Sequence, residues 1–340
     1  GDLNGVMQKI EYIKSLGVNA VWLNPFYKSP FKDGGYDIAD YRLVDKRFGT
    51  NADLDALIKA FHDNGIKVIL DLVIGHTSDK HFWFKRSGSA KRNKYSDYYI
   101  WTNSNFESYP EMIYGLTKRD GGYMKNYYAS QPALNFGFNQ TDERYPWKLH
   151  YTDERLRPLR EEILDIMRFY LDKGADGFRV DLAATLVKDG KKFDGDKAFE
   201  DTSEGLEGIT WLWGQILGTL RKEYKDKVYI AEWVVPQDSI AKCGFDADFL
   251  AHDTFAFNEL YRNEPNGNLT PYFERGKNYF SHEGKGRLSE FVRYAEFLYS
   301  KIGDKGCFTA PTGTHDEIRM ATGRTPAEIK TIFAFLLTLK

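Results

Sequence analysis

A chain of 340 residues is longer than one small domain and suits a single large barrel with an insertion. Lys and Arg number 47 against 49 Asp and Glu, giving a net charge of −2 and a pI near 6.4, so neither nucleic acid nor an acidic membrane surface has an electrostatic claim on it. No apolar run approaches a membrane span, and two cysteines, Cys243 and Cys307, allow at most one disulfide. Aromatic residues make up 16%, which serves either a stacking surface or a large core, the core being the commoner use.

The chain opens Gly-Asp-Leu-Asn-Gly and continues as an amphipathic helix, Val6 to Leu16, closed by Gly17. Asn19 to Leu23 reads as a buried strand, followed by a loop through Pro25, Pro30, Gly34 and Gly35. A second helix runs from about Asn51 to Asn64, with Thr50 or Asn51 as its N-cap and Gly65 at its end. Lys67 to Val73 is nearly all apolar, the pattern of a strand covered on both faces. Such alternation of helix and strand is the βαβ pattern of a parallel sheet.

From Thr77 to about Leu156 the alternation pauses in a polar, aromatic-rich stretch that includes Trp83, Tyr95, Tyr98, Tyr99, Trp101, Tyr127 and Tyr128. A structureless loop of that length is improbable in a compact domain, so residues 77–156 read as a small inserted subdomain, and residues 1–76 with 157–340 as the barrel. The insertion follows a strand's C-terminal end, where barrel loops build active sites.

Alternation then resumes. A helix over Leu159 to Lys173 stops at Gly174, and the strand Asp176–Asp181 follows. Beyond it come a linker rich in Lys, Asp and Gly, a helix near Ile209–Tyr224, and the strand Val228–Glu232. A weaker strand near Asp248–Leu250 precedes a loop rich in Asn, Pro and Gly. A helix near Leu288–Ile302, a strand near Phe308–Thr312, and a last helix begun by Pro326 complete the chain. Six strand candidates result, so a closed eight-stranded barrel would need one more before Gly1 and one after Lys340. On that count the chain reads as an excerpt of the barrel.

The chemistry centres on Gly174-Ala-Asp-Gly-Phe-Arg-Val-Asp181. Period two puts Arg179 and Asp181 on one side of their strand. A buried carboxylate is costly unless paired, and pairing with Arg179 would hold Asp181 ionised, as a nucleophile or metal ligand needs; a structural ion pair would look the same. Acids or histidines end several strands: Asp71 and His76, then Asp181, then Glu232, then His315 and Asp316. On a closed barrel these converge on the catalytic rim. Asp181 and Glu232 on adjacent strands suit retaining glycoside hydrolysis, with Trp233 as an apolar wall beside Glu232.

Four ordered stretches carry a resemblance. Asp71-Leu-Val-Ile-Gly-His76, Gly177-Phe-Arg-Val-Asp181, Ala231-Glu232-Trp233 and His315-Asp316 are similar to the signature regions of the alpha-amylase family of glycoside hydrolases, and the resemblance runs nearly the length of the chain. It implies a (β/α)8 TIM barrel with a subdomain inserted after strand three, and retaining cleavage of α-glucosidic bonds in a carbohydrate substrate, without an organic cofactor. In its terms Asp181 is the nucleophile, Glu232 the acid/base and Asp316 the third carboxylate that helps distort the sugar. The same resemblance makes His76, His315, Arg179 and Asp71 substrate-binding residues, Tyr36 the aromatic platform, and Asp33 a residue for the non-reducing end.

Some positions depart from the family pattern. Gly75 stands where many members have an Asn that binds structural calcium, and Gly1-Asp2-Leu3 resembles the tail of a different calcium loop. Calcium takes roughly six to eight oxygens, more than Asp2 supplies. Ala184-Thr185 replaces a Lys-His of endo-amylases, and Gln131-Pro-Ala-Leu-Asn135 carries Ala133 where Asp is frequent, which favours a small-substrate or exo-acting enzyme. The rival readings are a transglycosylase or glucoside isomerase of the same family, a metal-dependent barrel hydrolase, and a non-catalytic amylase-like binding scaffold.

Overall fold

The computed structural model describes residues 1–188, 206–249, 260–261, 278–316 and 319–339. The chain divides into two compact units, Gly1–Lys191 with Glu204–Tyr229, and Lys192–Ser203 with Ile230–Lys340. Most of the Lys/Asp/Gly linker, Leu250 and most of the Asn/Pro/Gly loop lie outside the described residues.

In the first unit the opening helix is two short ones, α1 (Leu3–Met7) and α2 (Ile10–Ser15), rather than the single helix the periodicity predicts. Asp2 caps α1 by accepting from the Gly5 N–H at 2.7 Å, and Lys9, at φ −108° and ψ 6°, breaks the run before Ile10. β1 (Ala20–Leu23) is exposed or half-buried where a buried strand was expected, because among the described residues it pairs only with β4. A hairpin of β2 (Tyr27–Lys28) and β3 (Asp40–Val44) follows, then α3 (Asn51–Asp63), whose Thr50 and Asp53 form a capping box. β4 (Lys67–Leu72) is buried over all but its first residue, as its apolar sequence predicts.

The aromatic-rich segment has a short helix α4 (Phe82–Ser87) and a hairpin of β5 (Met112–Ile113) and β6 (Tyr123–Met124). It builds its own cluster from Ile100, Met124, Ala133, Phe138 and Trp147, while Phe84 stacks on Trp101 at 5.7 Å and 10°. Half of its rings are buried, Trp83, Tyr98, Tyr99 and Trp101 among them, whereas Phe82, Phe106, Tyr127 and Tyr128 are exposed. α5 (Arg157–Asp172) then leads into β7 (Gly177–Val180), and α6 (Glu207–Glu223) closes the unit. β4 lies between β1 and β7, all parallel, with Val21 opposite Val68 and Asp71 opposite Arg179.

β8 (Val228–Ala231) carries the chain from the first unit into the second. There it pairs in parallel with β9 (Ala247–Phe249), which pairs in turn with β10 (Cys307–Thr309). A short helix α7 (Pro236–Ser239) lies between β8 and β9, followed later by α8 (Leu288–Ile302) and α9 (Pro326–Leu336). β10 begins one residue earlier and ends three earlier than the sequence suggests. Both cysteines are free thiols, Cys243 buried and Cys307 exposed.

Candidate functional site

Strand register assembles the centre of the first unit. Asp71 and Arg179 stand opposite each other on parallel neighbours, so their side chains share a face. Arg179 Nη1 donates to Asp71 Oδ1 at 3.0 Å and to Asp181 Oδ1 at 2.9 Å, and the guanidinium lies over the Trp22 ring at 4.9 Å. All three charged residues are buried: Asp71 is 0%, Arg179 2% and Asp181 8% exposed. The backbone fixes Asp181 from both sides, its N–H bonding the Leu72 carbonyl at 3.0 Å and Leu182 beyond it holding a left-handed φ of 47°.

The loop between β2 and β3 delivers Tyr36. Asp37 braces that loop, accepting from Ser29 Oγ at 2.7 Å, Lys32 N–H at 3.0 Å and Asp33 N–H at 3.2 Å. Gly35 takes φ 109°, and a Cβ there would stand 3.1 Å from the Pro25 carbonyl oxygen. The Tyr36 hydroxyl donates to Asp71 Oδ2 at 2.9 Å, so the two oxygens of Asp71 serve Arg179 and Tyr36 separately. Burial, then the Asp71 charge, push the Tyr36 phenol far above its ordinary value, which keeps it a donor.

His76 is buried, and both of its ring nitrogens are engaged within the protein. Nε2 donates to the Tyr36 carbonyl at 3.0 Å, and Asn126 Nδ2 donates to Nδ1 at 2.9 Å. Those partners select the neutral ring with its proton on Nε2, and burial pushes the imidazole down to about 4. Asp33 bonds Tyr36 through its carbonyl at 2.8 Å, while its Oδ2 accepts from the buried Gln131 side chain at 2.6 Å. Asp71, Arg179, Asp181, Tyr36, His76 and Asp33 thus form one connected set in the first unit.

In the second unit Glu232 follows β8 and is half-buried, next to the buried Trp233. His315 and Asp316 follow β10 in an exposed loop, with His315 Nε2 3.1 Å from Asp316 Oδ2 and the Asp316 N–H on Thr314 Oγ1 at 3.1 Å. Asp248, in β9, is fully buried and binds the turn after Glu232.

Trp22, Asn126, Asp37 and Asp248 were not singled out by the sequence. Only Asp248 left a clear sign, a carboxylate within an apolar strand. For calcium, Gly75 brings no side-chain oxygen and the Asp2 carboxylate is used as a helix cap. Among the described residues no group of three or more His, Cys, Asp or Glu is arranged to hold a metal ion. Among the same residues, no helix is long and apolar enough to cross a membrane.

The chain is 40% identical over 189 residues to the oligo-1,6-glucosidase of Heyndrickxia coagulans, which covers 55% of this chain and 32% of that protein. It is 39% identical over 198 residues to the alpha-glucosidase of Schizosaccharomyces pombe, covering 57% of this chain and 33% of the other. The chain therefore spans about a third of the length of the curated relatives it matches. Among solved structures, the trehalulose synthase MutB from Pseudomonas mesoacidophila MX-45 is similar with a TM-score of 0.69 and 27% identity, over 96% of this chain and 56% of that one. The isomaltulose synthase SmuA from Protaminobacter rubrum gives 0.66 and 27%, over 91% of this chain and 53% of the other. The family model of the alpha-amylase catalytic domain matches residues 1–330, a span that includes all four motifs, and the chain belongs to the alpha-amylase family.

Proposed function

We propose that this chain is the catalytic part of a retaining α-glucosidase, cleaving α-glucosidic bonds of malto-oligosaccharides or related small α-glucosides. The observation that carries the reading is the buried Asp71–Arg179–Asp181 bridge with Tyr36 on its far carboxylate oxygen, in a member of this family. A guanidinium shared by two buried acids keeps charge in place where a nucleophile needs it.

In this reading Asp181 attacks the anomeric carbon while Glu232 gives its proton to the departing glycosidic oxygen. A glycosyl-Asp181 ester forms and the aglycone leaves. Glu232, now a carboxylate, takes a proton from water, whose oxygen displaces Asp181 with retention. Retaining enzymes need their two carboxyl groups about 5–5.5 Å apart. Asp316 is the third carboxylate and His315 its neighbour at the bound sugar. Tyr36 is the platform beneath that sugar, and His76 and Arg179 flank it. Asp71 acts through Arg179 and Tyr36, and Asp33 receives the non-reducing end.

We propose also that the six strands belong to a (β/α)8 barrel to which residues 1–76 and 157–340 contribute. Residues 77–156 are then the subdomain inserted after its third strand. No organic cofactor enters the chemistry, and the partner is a carbohydrate. The similarity to trehalulose and isomaltulose synthases favours, as a second reading, glucosyl transfer or isomerisation by the same residues.

The test is incubation of wild type and Asp181→Asn with maltose, maltotriose, isomaltose, trehalose, sucrose and soluble starch, with products resolved by anomeric form. Release of α-configured glucose by wild type alone supports hydrolysis. Conversion of sucrose to an isomer with little free glucose moves the assignment to the second reading. A folded wild type that turns over none of these overturns both and favours the binding scaffold.

A further inference from the structure

The turn that follows Glu232 holds an unexpected conformation. Val234 takes φ 69°, in the left-handed region that β-branched residues avoid, so the turn persists only where its surroundings over-determine it. Those surroundings converge on one buried side chain. Asp248 Oδ1 accepts the Trp233 N–H at 3.0 Å and the Val234 N–H at 3.1 Å, and its Oδ2 accepts the Ser239 hydroxyl at 2.6 Å. The Val235 N–H adds to the same set. Consecutive backbone N–H groups closing on one oxygen form an anion-binding nest, here filled by the protein's own carboxylate. Every group involved lies in the second unit.

We propose that Asp248 is a positioning residue, whose carboxylate fixes the Trp233–Val234 turn and through it the direction in which Glu232 points. The proposal rests on the assignment of Glu232 as acid/base, because only then does its direction govern the chemistry. The physical argument is geometric. Glu232 is the last residue before the turn, so releasing two N–H groups lets Val234 relax to an ordinary φ and rotates the Glu232 backbone. Proton delivery requires hydrogen-bond reach, so a rotated carboxyl loses acid catalysis first. Burial pushes the Asp248 carboxyl up to about 7 against the Ser239 hydroxyl and the backbone N–H groups, as expected of an acid whose role is within the fold.

Asp248→Leu removes the acceptor at similar size, whereas Asp248→Asn retains an oxygen for the two N–H groups. Both would be compared with wild type on maltose, whose departing oxygen needs protonation, and on α-glucosyl fluoride, whose fluoride does not. The expected result is a loss for Asp248→Leu at least about tenfold greater on maltose than on the fluoride, within the 10²–10⁴-fold range of general acid catalysis, and near-recovery in Asp248→Asn. Equal losses on both substrates would mark a merely structural role and overturn the proposal. If Asp248→Leu does not fold, Ser239→Ala loosens the same carboxylate and is expected to show the same skew at smaller size; no skew there overturns it as well. Amide exchange of the wild type separates this claim from the function itself. Trp233 and Val234 N–H groups should be protected like those of β8 even if no glucoside is turned over, and free exchange at both would sink the clamp whatever the activity.

Discussion

Replacing Arg179 by Leu tests whether the buried bridge organises the first unit. The substitution removes two charge-assisted hydrogen bonds, at 3.0 and 2.9 Å, and the stacking on Trp22, and it leaves Asp71 and Asp181 buried without their shared cation. Each lost bond to a charged group is worth about 1.5–3 kcal/mol, and breaking a buried pair by removing one partner costs about 3–5 kcal/mol. Leucine refills the aliphatic part of the space, so the expected net destabilisation is about 3–5 kcal/mol. The diagnostic variant is the double one. In Asp71→Asn/Arg179→Leu one of the two stranded charges is gone, while the Asn oxygen still accepts from Tyr36. The double variant should therefore be at least about 1 kcal/mol more stable than Arg179→Leu alone. Guanidinium unfolding of wild type, both single variants and the double variant supplies the cycle, with slopes checked for a common transition. A cost below about 1 kcal/mol for Arg179→Leu, the level of an exposed pair, would show that the bridge does not organise the unit, as would a double variant no better than the single one.

Other consequences are equally direct. Asp176 sits at the opposite ends of the strands, accepting from the Val68 N–H at 2.9 Å, His62 at 2.6 Å and Lys67 at 3.1 Å. Burial alone would raise its carboxyl, but these three partners hold it below its ordinary value, so its contribution is present at neutral pH and lost as pH falls through the folded value. Asp176→Asn should accordingly cost about 1–3 kcal/mol at neutral pH and much less in acid; a constant difference across a denaturation series at several pH values would contradict this. His76 is neutral when folded and pushed from 6.5 to about 4, so the unfolded chain binds its proton first and stability falls as pH drops through that interval. His76→Gln should flatten that limb of the stability curve, and an unchanged limb would count against the burial argument. Gly177→Ala would drive a Cβ into the Val228 carbonyl oxygen, a backbone clash no rotamer relieves, and about 3 kcal/mol or more of destabilisation is expected by thermal unfolding. Wild-type stability in that variant would mean the strand approach is wrong.

Much of this was legible in the sequence because it is local. Apolar runs and caps fix where elements form, and α8 begins and ends at the residues read from its periodicity. Period two in Phe178-Arg-Val-Asp181 already put Arg179 beside Asp181, and the 2.9 Å bond follows from it. Gly177 opens that motif because Val228 passes too close for any side chain, a reason visible only once both strands are placed. What the sequence withheld depends on partners far apart in the chain. Asp71 meets Arg179 across 108 positions, and Asp33 meets Gln131 across 98. The Trp22 ring under Arg179, the Asn126 amide that selects the His76 tautomer, and the Asp248 clamp are of the same kind. Local rules misjudged the first helix: the amphipathic pattern of Val6 to Leu16 fits one helix, whereas the chain breaks at Lys9 into two, with Leu3 of the first and Ile10 of the second both buried.

In the proposed mechanism Asp181 forms the covalent bond to the sugar. Its most direct test is to trap the intermediate with 5-fluoro-α-D-glucosyl fluoride, whose second step is slow, and to locate the label by peptide mass spectrometry. A single 5-fluorohexosyl adduct is expected on the peptide containing Gly174–Asp181, mapped to Asp181 and missing in Asp181→Asn. A folded wild type that accumulates no adduct, or one labelled at another carboxylate, would contradict it.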